Sequence, residues 1–125
     1  MRLLTATIRA KLEANRGTTD AIPCLKLFNP IGAATWLACE IDPDGDTLFG
    51  LADLGFGCPE MGYFSLSEIE RIHLPYGLKI ERDQSFETTR TITQWADKAR
   101  ALESLQTTET IFTGLCAVYS SGEDS

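Results

Sequence analysis

The chain has 125 residues, 43% of them hydrophobic and 23% charged, with a net charge of −7 and a pI near 4.6. That is enough for one domain with a real core, and the acidity argues against direct binding to nucleic acid, which needs a basic footprint. No apolar run approaches the roughly 20 residues of a membrane span, and Arg9 and Lys11 interrupt the N-terminal stretch where a signal peptide needs an apolar core.

Taken in chain order, Thr5 to Ala14 reads as a helix with Leu4, Ile8 and Leu12 on one stripe. Asn15-Arg16-Gly17 stops it. Ile22 to Phe28 reads as a strand, and Pro23 near its start marks it as an edge or opening strand. Thr35–Ile41 and Thr47–Leu54 read as a hairpin across Asp42-Pro43-Asp44-Gly45-Asp46, a run rich in turn residues. Pairing Ile41 with Thr47 sets Leu37 against Leu51 and Cys39 against Phe49 on a core face. Trp36 then meets Ala52 on the other face, which holds Glu40 and is expected to be half-buried, looking partly to solvent or to a helix. Gly55 to Gly62, with three glycines and Pro59, reads as a structured loop. Ser65 to Glu68 fits a capping box opening a short helix that ends before Pro75. Tyr76 to Asp83 reads as a strand. Thr91 to Gln94 is a second capping box, opening a helix to about Leu105 with Ile92, Trp95, Ala99 and Leu102 inward. Thr107 to Tyr119, rich in Thr, Ile, Phe and Val, reads as a weak strand, and Ser120–Ser125 as a disordered tail. The fold class is α+β: one domain over 1–119, with an antiparallel sheet of four to five strands and the N- and C-terminal helices packed on one face.

The charge is uneven. Leu27 to Glu70 contains no lysine or arginine and eight acids: Glu40, Asp42, Asp44, Asp46, Asp53, Glu60, Glu68 and Glu70. Four of these fall between Glu40 and Asp46. A turn needs one or two, chiefly Asp44, so the excess serves either solubility or recognition of a basic surface.

Each motif with a chemical reading also has a plain one. Gly55-Phe56-Gly57 opens like a dinucleotide fingerprint, but Glu60 stands where the third glycine belongs and Pro59 opposes a helix there; a loop needing positive φ explains it better. The Asp42–Asp46 run resembles a calcium loop with its glycine two positions early, and a solvated turn explains it better. Cys24, Cys39, Cys58 and Cys116 have wide, irregular spacings and His73 is the single histidine, so reduced thiols, a cytoplasmic setting and no bound metal are expected. Asp53, ending an apolar strand beside the glycine-rich loop and near Tyr63, is the carboxylate with most chemical interest. Its plain reading is a hydrogen-bond acceptor for loop N–H groups.

The runs KLFNPIGAATWL, LFGLADLGFGCPEMGYFSLSEIE and GLKIERD resemble a bacterial family, domain-of-unknown-function family 2958, over about Met1 to Arg100. The resemblance implies a setting on plasmids and integrated conjugative elements and carries no reaction, ligand or catalytic residue. Three functional classes follow. The leading one is a non-enzymatic factor whose acidic residues engage a basic protein surface, for example as an inhibitor of a nucleic-acid-binding host defence complex. The second is a small enzyme or ligand-binding protein around Asp53, Glu60 and Tyr63, and the third an accessory scaffold. The expected binding residues are Glu40, Asp42, Asp44, Asp46, Asp53, Glu60, Tyr63, Glu68 and Glu70; no cofactor and no membrane contact is expected.

Overall fold

A computed structural model describes residues 3–112. Helix α1 (Ala6–Ala14) is capped by Thr5, whose hydroxyl accepts from the Ile8 N–H at 3.1 Å. The strands are β1 (Leu25–Phe28), β2 (Thr35–Ile41), β3 (Thr47–Asp53), β4 (Glu60–Ser65) and β5 (Glu81–Arg82). Helix α2 (Leu66–Glu70) follows β4 directly; α3 (Ile92–Leu102) and α4 (Leu105–Phe112) close the described chain. All strand pairings are antiparallel, in the order β4-β3-β2-β1-β5.

The protein is α+β with a five-stranded sheet, but the helices lie on both faces rather than one. Trp36 and Ala38 of β2, Leu25 and Leu27 of β1 and Leu48 of β3 pack with Leu12 of α1 and Leu66 and Ile69 of α2. Leu37, Cys39 and Leu51 point the other way and pack with Ile92, Trp95, Ala96 and Ala99 of α3 and Leu105 of α4. The reason lies in the strand period: β2 is apolar at consecutive positions, so both its faces need cover. The half-buried face expected to carry Trp36 is therefore a core face, and Trp36 is 6% exposed.

The hairpin register holds at one end and slips at the other. Trp36 faces Ala52 and Leu37 faces Leu51, but a bulge after Ala38 sets Glu40 against Phe49 and Ile41 against Leu48. Gly50 sits beside the bulge, where a Cβ would lie 1.8 Å from the Leu37 carbonyl oxygen. Only glycine allows that approach.

Three sequence expectations need correction. The loop expected over Gly55–Gly62 ends at Pro59, because Glu60 to Ser65 is strand β4, pairing along its whole length with β3. The strand expected over Tyr76–Asp83 shrinks to Glu81–Arg82, because Pro75–Gly77 forms a 3-10 turn with Tyr76 at φ 65°. The strand expected from Thr107 is helix α4 as far as Phe112. Its Thr108 and Thr110 hydroxyls donate to the carbonyls of Ser104 and Gln106, four residues back, so they are satisfied within the helix. The rest of that expected strand, the expected tail and Cys116 lie outside the described residues. The Thr91–Gln94 capping box forms as expected.

Candidate functional site

The acidic turn is built mostly for its own stability. The Asp44 carboxylate accepts from the N–H groups of Asp46 and Thr47, both at 2.8 Å, and from the Thr47 hydroxyl at 2.6 Å. Asp46 reaches across to the start of α2. It accepts from the Ser65 hydroxyl at 2.6 Å, the Ser67 N–H at 2.7 Å and the Ser67 hydroxyl at 3.2 Å. Hydrogen bonds from Thr47 hold the Asp44 carboxyl below its ordinary range, and those from Ser65 and Ser67 do the same for Asp46. The turn has no basic neighbour in sequence, but α1 supplies two in space. The Arg9 guanidinium donates to the Gly45 carbonyl at 3.3 Å, and Arg16 Nε to the Ile41 carbonyl at 2.5 Å. The Arg16 charge also lowers the Asp44 pKa.

The other acids are dispersed. Glu40 and Asp42 are half-buried at the base of the turn. Glu68 is exposed in the first turn of α2, where it suits the helix N-terminus. Glu70 accepts from the Leu3 N–H at 3.3 Å and so ties the N-terminal segment to α2.

Asp53 is 4% exposed. One of its carboxylate oxygens accepts from the Gly55 N–H and the other from the Leu105 N–H, each at 2.8 Å. It thereby fixes the glycine-rich loop and the first turn of α4 together. Gly55 and Gly57 both have positive φ, so the plain reading of these glycines accounts for the loop. A Cβ on Gly55 would come 3.2 Å from the Ala33 Cβ, which shows that loop 54–59 lies against loop 29–34. These twelve residues carry no charge. They expose Leu54, Phe56 (82% exposed) and Ile31.

Beyond the loop, Glu60 opens β4 and is exposed. Tyr63 is 70% exposed and leans on Phe49, ring centres 5.1 Å apart. β4 is an outer strand of the sheet. Sequence reading missed this edge because a six-residue strand with a central glycine follows directly on loop chemistry. The alternation of Met61 and Tyr63 against Gly62 and Phe64 was the available signal.

Two cavities lie elsewhere: one of about 890 Å³ between α1, the approach to β1 and loop 85–90, and one of about 460 Å³ beside Leu3 and segment 77–84. Neither is lined by Asp53, Glu60, Tyr63, Cys58 or His73. Among the described residues no three His, Cys, Asp or Glu side chains gather as a metal-holding group. Cys24, Cys39 and Cys58 are free thiols. Burial pushes the Cys39 thiol up to about 12. None of the described helices is long and apolar enough to cross a membrane.

Sheet and faces together define a small α+β domain whose sheet ends, among the described residues, in β4 on one side and β5 on the other. Residues 3–106 match the family described as a protein of unknown function, DUF2958, and the chain belongs to that family. No curated protein and no solved structure matches the chain.

Proposed function

We propose that the chain is a protein-binding module that takes an extended, basic segment of a partner along the outer edge of β4. One observation carries this reading: the two sheet edges are unequal. β5 is two residues long, too short to template a further strand, whereas β4 is six residues long. Among the described residues no strand pairs its outer side. Such an edge presents a row of N–H and C=O groups, and proteins that leave one unpaired usually blunt it with lysine, proline or a bulge. β4 contains none of these. Backbone pairing supplies affinity in this mode and flanking side chains supply selectivity. Tyr63 offers a rigid aromatic surface at the edge and Glu60 a carboxylate to a basic segment, while Glu68 on α2 adds charge beside the edge.

Basic segments are typical of proteins that handle nucleic acid. The biological role we attach is therefore occupation of such a surface, as an inhibitor of a nucleic-acid-binding defence complex would do. The absence of basic residues from Leu27 to Glu70 and the mobile-element setting implied by the resemblance support it.

The test is affinity capture from a bacterial lysate, read by mass spectrometry, with the wild type, Glu60→Lys, Tyr63→Lys and Asp42→Asn. The expected result is a basic partner retained by the wild type and Asp42→Asn and lost from the two lysine variants. Amide exchange at residues 60–65 should slow in the complex. A partner retained by both lysine variants, or protection confined to another element, overturns the reading.

A further inference from the structure

The 890 Å³ cavity is a cleft unconnected with the β4 edge, and its size falls within the several hundred to about 1,000 Å³ common for small-molecule sites. It opens at the end of the sheet where β1 begins. Its inner wall is aromatic: Trp95 of α3 packs on Phe112 of α4 at 4.8 Å, edge to face, and on Phe86 at 6.0 Å. Ile22 and Pro23 form the apolar wall across from them.

The polar groups of the cleft are placed with equal definition. The Thr88 hydroxyl accepts from the Trp95 indole N–H at 3.3 Å and from the Arg90 N–H at 3.1 Å, which pins loop 85–90 to α3. The Arg90 guanidinium lies 4.0 Å from the centre of the Phe112 ring, a cation–π arrangement that places a cation at the cleft. Lys11 of α1 also lines the cleft, and its charge is felt inside: burial pushes the Cys24 thiol up while Lys11 draws it back down. Two cations thus line the cleft against one carboxylate, Glu87, in a protein whose net charge is −7. The charge of the lining is opposite in sign to that of the whole chain, which favours an anion there.

We infer that this cleft binds a small organic anion with a flat apolar body, of the aromatic carboxylate class. The ring system lies against Phe86 and Phe112, which cover the buried Trp95, and the carboxylate faces Lys11 and Arg90. Thr89, exposed on the same loop, adds a hydroxyl donor to the lining.

The two tryptophans make the test internal to one molecule, since Trp36 belongs to the opposite core. The probe is 2-naphthoate, titrated into the ¹⁵N-labelled full chain and read at the two indole N–H signals. The Trp95 signal should move saturably while that of Trp36 stays put. Neutral 2-naphthamide should bind about tenfold more weakly, as should naphthoate to Lys11→Gln or Arg90→Gln, the loss expected for one charge-assisted contact. Lys11 is exposed, so Lys11→Gln should melt with the wild type, whereas Arg90→Gln also gives up its contact with the Phe112 ring and should melt slightly lower. A silent Trp95 signal, equal shifts at both indoles, or equal affinity for acid and amide overturns the inference.

Discussion

β3 runs between two loops of opposite character. At its start lies the turn Asp42–Asp46, with three carboxylates in five residues; at its end lie residues 54–59, packed against 29–34, with no charge at all. Charge alone makes the first look like the recognition surface and the second like filler. The structure reverses the weighting. At the acidic turn, Asp44 and Asp46 are engaged by the backbone and hydroxyls of the turn and of α2, with Arg9 and Arg16 alongside. At the uncharged end one buried carboxylate, Asp53, organises the loop, and large apolar side chains stand in solvent. Charge density in a sequence records how many polar groups a segment has. It does not record how many are left over once local hydrogen bonds are made.

The largest expected contrast is chemical. Cys39 lies beside the bulge near the acidic end, buried and with its thiol pushed up to about 12, while Cys58 is exposed on the uncharged loop. The thiolate is the reactive form, and an ordinary thiol ionises near 8.5. Native alkylation followed by peptide mass spectrometry should find Cys58 modified first and Cys39 far slower than a free thiol, since burial both raises its pKa and closes access to it. Comparable rates at the two would mean that the hairpin opens readily at its bulge.

Next is Asp53→Ala. It removes the acceptor of two N–H groups, and the Leu105 N–H is left buried, so the loss should be about 3 kcal/mol in denaturant unfolding. Phe56→Ser at the tip of the same loop should change stability by less than about 0.5 kcal/mol. If Asp53→Ala were equally silent, the uncharged end would not depend on its one carboxylate and the comparison would fail.

How much of this was legible follows from where the forces are local. The turn Asp42–Asp46 and the Thr91–Gln94 box are encoded within a few residues, and each formed as read. The hydrogen-bonding role of Asp53 was legible toward Gly55, two residues on, but not toward Leu105, because nothing in the sequence marks a contact spanning 52 positions. For the same reason the helix α4 was missed: its threonines favour a strand, and tertiary packing of Leu105, Thr108 and Phe112 overrides them. The bulge at Cys39 depends on how close two backbones come at Gly50, which no periodicity reveals.

A smaller effect belongs to Asp46. It bonds the Ser67 N–H in the first turn of α2, so Asp46→Ala should cost about 1 kcal/mol, the usual value of a cap. The pH dependence has a definite sign. The folded pKa values of Asp44 and Asp46 are depressed, so the unfolded chain binds protons first as pH falls. Their contribution is complete above the unfolded value of about 3.9 and is lost as pH drops through the lower folded values. Melting followed from pH 6 downward should show a shallower acid slope in Asp46→Ala than in the wild type. Identical slopes would mean that the Ser65 and Ser67 bonds do not persist in solution.

The smallest effect on stability is expected at Asp42 and Glu68. Asp42 is half-buried at the base of the turn and Glu68 is exposed on α2. The Asp42→Asn, Glu68→Gln double variant should therefore unfold within about 0.5 kcal/mol of the wild type. Its use lies in dividing the two ends of β3 by rate. If a basic partner lies along β4, charges beside the edge accelerate encounter without making the final contacts. The double variant should then associate more slowly at low salt, with an unchanged dissociation rate and a flatter dependence on ionic strength. Glu60→Lys acts instead where the strand itself pairs, so it should raise the dissociation rate as well. Equal dissociation rates for the two variants would place the contact at the acidic turn and not at the edge of β4.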